Sequence, residues 1–90
     1  MAIAIITIKL MMDSPDTNLP EVEEKAKEII KGIGGEFYKT ETEEIAFGLK
    51  ALKLTFTCDE KLGSDAFEEK LKDIEGVSNA QCVDFRRALG

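Results

Sequence analysis

From Ile3 to Met11 the apolar side chains Ile6, Ile8 and Leu10 alternate with Thr7 and Lys9, and β-branched residues are abundant. That two-residue period predicts a strand with Ile3 and Ile5 on its opposite face. The period then changes. Asn18 stands three residues before Glu21 with Pro20 between them, the spacing of a capped helix N-terminus. Val22, Ala26, Ile29, Ile30 and Ile33 recur at three- and four-residue intervals, while Glu23, Glu24, Lys27, Glu28 and Lys31 fill the other side. One face of this helix is therefore core and the other faces water. Gly32, Gly34 and Gly35 follow, and glycine ends helices readily.

Glu36 to Glu41, carrying Phe37 and Tyr38, reads as a short second strand, with Glu41 to Glu44 as the turn out of it. Leu52, Leu54, Phe56 and Cys58 then alternate with Lys53, Thr55 and Thr57, the half-buried antiparallel pattern. Asp59 to Gly63 reads as loop, and Ser64 can cap a second helix bearing Ala66, Phe67, Leu71 and Ile74. Gly76 closes that helix before a last strand from Val77 to Phe85. The order βαββαβ predicts an α+β, ferredoxin-like sandwich: an antiparallel four-stranded sheet in the order 4-1-3-2, with both helices on one face. A helical pair packed beside a separate hairpin would leave the apolar first strand unpaired, which disfavours it.

Ninety residues make one domain, residues 1–90, with 43% hydrophobic side chains to form a single core. No apolar stretch approaches the roughly 20 residues that cross a bilayer, and Met1 to Met12 has neither a basic leader nor a small-residue cleavage site, so a cytoplasmic protein is expected. The net charge of −6 has the wrong sign for generic nucleic-acid binding. With no histidine, and Cys58 and Cys82 far apart in sequence, the usual Cys/His zinc sets and histidine-based nucleophile activation are absent. No metal or cofactor is expected, and the cysteines read as small reduced hydrophobes. The acidic pairs Glu23-Glu24, Glu43-Glu44 and Glu68-Glu69 read as solvated faces or turns rather than catalytic dyads.

Because this fold hosts many functions, its loops have to discriminate among them. The loop from Met12 to Thr17 is acidic and lacks glycine, unlike a phosphate cradle of the acylphosphatase kind. Two features stand out. Phe47 and Leu49 are out of phase with Leu52, Leu54, Phe56 and Cys58, so an unbroken strand would expose them, whereas a bulge near Gly48 or Ala51 would return them to the core. The only two arginines, Arg86 and Arg87, are adjacent near the C-terminus. They suit bidentate, partly desolvated contacts, or form a solvated basic end.

The segment EIAFGLKALKL, Glu44 to Leu54, together with GVSNAQCVDFRRALG, Gly76 to Gly90, resembles the archaeal elongation factor 1-beta family and the C-terminal exchange domain of its eukaryotic counterpart. The likeness extends over essentially the whole chain. It implies a guanine-nucleotide exchange factor for elongation factor 1-alpha that acts by binding linkage and is not an enzyme. It also implies the same ferredoxin-like fold. In the eukaryotic members an aromatic residue at the start of the third strand contacts the GTPase, and Phe47 stands at that place, followed by Gly48 and Lys50. A penultimate lysine in those members reaches toward the GTPase magnesium site. Laying their ending on Phe85-Arg86-Arg87 puts Arg87 at the lysine position, here as arginine and followed by Ala88, Leu89 and Gly90. The partner-binding residues so implied are Phe47, Gly48, Lys50, Arg86 and Arg87, with no direct nucleic-acid or membrane partner. The competing class is a small ligand-binding or regulatory ferredoxin-like domain, for which no glycine-rich ligand loop is legible.

Overall fold

Six elements follow one another in the order β1 (Ile3–Met12), α1 (Leu19–Ile33), β2 (Glu36–Glu44), β3 (Lys50–Asp59), α2 (Gly63–Lys72) and β4 (Val77–Ala88). They come from a computed structural model that describes residues 3–45 and 48–88. The strands form one sheet in the order β2-β3-β1-β4. β1 is antiparallel to both β3 and β4, which makes those two parallel to each other. This is the expected ferredoxin-like α+β sandwich.

The core lies between the sheet and the two helices. Ala4, Ile6, Ile8, Leu10 and Met12 of β1, with Leu52, Leu54, Phe56 and Cys58 of β3, pack with Val22, Ala26 and Ile30 of α1 and with Phe67 and Leu71 of α2. The rings of Phe56 and Phe67 meet at 4.5 Å between centroids. α1 starts where its sequence says: the Asn18 side-chain oxygen accepts from the Glu21 backbone N–H at 3.2 Å. It ends at Gly34, whose φ of 117° is a left-handed conformation that side chains other than glycine's disfavour.

Four boundaries differ from the expectation. The acidic run Glu41 to Glu44 is strand rather than turn, because Glu41 and Glu44 stand opposite Lys53 and Lys50, and cross-strand opposite charges stabilise pairing. α2 begins at Gly63, so Ser64 sits inside it and makes no cap. The Leu62 N–H donates to the Asp59 carbonyl at 3.0 Å, and this turn delivers the chain to the helix early. The helix stops at Lys72, which leaves Gly76 in the connection to β4. Finally, β4 continues past Phe85, and Arg86 and Arg87 pair with Ile5 and Ala4. The N-terminal half of β1 needs an outer neighbour for its backbone groups, and these residues supply it.

Cys58 and Cys82 are both free thiols, on β3 and β4 with β1 between them. Two strand spacings of about 4.8 Å exceed the Cα reach of a disulfide. Burial, followed by the nearby Asp59 charge, pushes the Cys58 thiol up, and burial is likewise the main cause for Cys82. A raised pKa leaves less thiolate at neutral pH, so both thiols should react slowly with a disulfide reagent until the protein is denatured. Thiol counting under denaturing, non-reducing conditions should then find two. A count of none, at a monomer mass lower by two protons, would contradict this sheet order.

Candidate functional site

The residues singled out by sequence divide between the two ends of the sheet. At one end, the hairpin between β2 and β3 is closed by the Ile45 N–H donating to the Leu49 carbonyl at 2.8 Å, just beyond the Glu44–Lys50 pair. Gly48 is exposed with φ of 76°, and a Cβ there would meet nothing within 4 Å. Glycine is therefore favoured by the backbone conformation and not by crowding. Since β3 starts only at Lys50, Gly48 and Leu49 belong to the connection, and the assumption of an unbroken strand fails; Leu49 is half-buried. Phe47 lies outside the described residues.

At the other end are the arginines. Arg87 pairs across β4 with Ala4, and Lys50 lies one residue before Ala51, the partner of Met11. Seven residue steps separate Ala4 from Met11, roughly 23 Å of strand at about 3.3 Å per step. Hairpin and arginines are thus far apart, as parallel third and fourth strands require.

The two arginines do not share a face. Arg86 lies on the sheet surface away from the helices, where its Nε meets Asp84 Oδ2 at 3.1 Å. Arg87 aligns with the buried Ala4, and its Nε contacts Glu60 Oε2 at 2.7 Å. Glu60 comes from the turn after β3, a segment that the sequence reading treated only as loop. Its Oε2 is shielded from solvent but lacks aligned hydrogen-bond geometry, so the contact is a close ion pair.

The helix-free face carries a second polar grouping. Ile5, Thr7, Tyr38, Thr55, Thr57, Val83 and Arg86 line a shallow trough of about 800 Å³. Thr7 and Thr55 are cross-strand partners with their hydroxyl oxygens 3.1 Å apart. Lys9 and Lys53 also stand directly opposite each other, a repulsive placement. Glu43 resolves it, with Oε2 at 3.2 Å from the Lys9 ammonium and 3.5 Å from that of Lys53. The close Lys9 ammonium and then the charge of Lys53 hold the Glu43 carboxyl below its ordinary range. Reading Glu43 as a solvated turn residue missed this role; the facing lysines of two alternating strands were the available signal. Tyr38 is 71% exposed because a register shift between Phe37 and Lys39 places it in a bulge.

The model of the EF-1 guanine nucleotide exchange domain matches residues 5–88, which takes in both helices, three whole strands and all but the first two residues of β1. This chain belongs to that family. A protein of Methanothermobacter thermautotrophicus named elongation factor 1-beta is 42% identical over 86 residues, covering 94% of this chain and 96% of its own. Its namesake in Methanosarcina barkeri is 44% identical over 82 residues, covering 89% and 91%. That of Nanoarchaeum equitans is 39% identical over 82 residues, 90% of this chain and 100% of its own. The resemblance carried by Glu44 to Leu54 and Gly76 to Gly90 thus extends across the domain, and a guanine-nucleotide exchange role in translation elongation follows from the family. Among the described residues no helix is long and apolar enough to cross a membrane.

Proposed function

We propose that this protein promotes release of GDP, and so reloading with GTP, from elongation factor 1-alpha, acting in the cytoplasm by binding linkage and without covalent chemistry. The observation that carries the reading is the exchange-domain match over nearly the full chain, with relatives of almost the same length named elongation factor 1-beta. A factor that binds the nucleotide-free GTPase more tightly than the GDP-bound form must weaken GDP binding by the same ratio.

The two ends of the sheet suit a two-point grip. Phe47, Gly48 and Lys50 form one contact, and the end of β4 forms the other, with Arg87 on the helix side and Arg86 on the opposite face. At the second contact a cation near the partner's magnesium and nucleotide phosphates competes with the ion that holds them, and phosphate affinity falls. Both arginine side chains are well exposed, at 75% and 65%, which leaves them accessible to a partner.

The test is release of labelled GDP from the cognate elongation factor 1-alpha with and without catalytic amounts of this protein. Release should accelerate in proportion to the amount added and then saturate. A rate that stays flat across a wide concentration range would refute the proposal.

A further inference from the structure

We infer that Glu60 is a positioning residue for exchange: its carboxylate pairs with Arg87 at Nε and biases the direction in which the guanidinium is presented. The inference rests on the proposed exchange function and adds to it a residue from a different element.

Three observations carry it. First, β3 and β4 run parallel on either side of β1, so the turn after β3 and the last residues of β4 reach the same end of the sheet. Ala4 is the Cα partner of both Cys58 and Arg87, which places Glu60, two residues beyond Cys58, next to Arg87 on the helix side. Second, the 2.7 Å contact uses Nε, and the Arg87 side chain remains 65% exposed. The ion pair is made at Nε while much of the planar group still faces water. Third, the contacting oxygen of Glu60 is shielded from solvent, although Glu60 stands in a surface turn. A shielded carboxylate oxygen needs a partner, and Arg87 is the cation it meets.

An exposed pair of this kind does little for stability, so its consequence lies in geometry. A free arginine samples many rotamers, and ordering it during the encounter would cost entropy at that moment. A guanidinium already biased by an ion pair has given up part of that freedom beforehand, and a cation must be well placed to act on a phosphate or magnesium site. Arg86 is held differently, by Asp84 two residues away on its own strand and on the opposite face.

The experiment measures labelled GDP release from elongation factor 1-alpha with wild type, Glu60→Gln, Arg87→Gln and the double variant, each over a range of factor concentrations. Glu60→Gln removes the charge at nearly constant size. It should lower the saturating rate about two- to fivefold, the bias that an exposed ion pair can place on a side chain's orientation, while the half-saturating concentration and the melting temperature stay close to wild type. In the Arg87→Gln background the same change should have no further effect, because there is no guanidinium left to orient. A full wild-type rate for Glu60→Gln, or an equal fold-loss in both backgrounds, would overturn the assignment of Glu60 alone. Failure of the wild type itself to accelerate release would instead remove the exchange reading, and this inference with it.

Discussion

Arg87→Ala is expected to slow GDP release from elongation factor 1-alpha by about 10- to 100-fold at saturating factor, the range of common coupling energies between linked sites. The fold should survive the change. The Arg87 backbone pairs with Ala4 whatever its side chain, and an exposed ion pair such as that with Glu60 contributes only about 0–1 kcal/mol. Arg87→Lys should retain part of the activity, since an ammonium keeps the charge but loses the planar fork. Arg86→Ala is the informative control, because that side chain lies on the other face of the sheet, against Asp84. If both alanine variants lose activity equally, and added salt reproduces the loss in wild type, the arginines act by diffuse attraction and Arg87 has no special place.

The largest loss of stability is expected from Phe67→Ala. Phe67 is fully buried on α2, stacked at a tilt against the fully buried Phe56 of β3, so its removal opens a cavity at the junction of helix and sheet. Truncating a buried phenylalanine costs about 3–5 kcal/mol. For a domain this small that corresponds to a drop in melting temperature of roughly 15 °C or more. Phe67→Leu should recover part of the loss by refilling some of the volume. Thermal and urea unfolding followed by circular dichroism would check both, and a loss below about 1 kcal/mol would mean that the ring is not packed as described.

The element order and the core residues were legible because each depends on a local period: Ile6, Ile8 and Leu10 in β1, Val22, Ala26 and Ile30 in α1, Leu52, Leu54 and Phe56 in β3. The misplaced boundaries share a different cause. Glu41 to Glu44 looks like a turn until the lysines of β3 are set opposite it, and Arg86 and Arg87 look like a frayed end until β1 is seen to need an outer partner. In both cases a long-range pairing decided the conformation against local composition. The same limit applies to the site. Adjacency and rarity drew attention to the arginines, but Glu60 is 27 positions from Arg87 in sequence, and nothing local marks the two as neighbours.

The outer position of β4 has a consequence for how the protein is made. The pairing of Ile3 with Ala88 joins positions 85 apart, so β1, a central strand, lacks one of its two neighbours until residues 77–88 have been synthesised. Up to that point β1, β2, β3 and the helices can assemble only as a three-stranded intermediate in which the apolar β1 offers an open edge. Such an edge is a template for pairing with another nascent chain. The non-local contact also has to overcome the entropy of closing a loop 85 positions long, which slows the last step of folding. The dozen residues that carry both arginines are therefore also the ones that end the window in which the chain is open to aggregation.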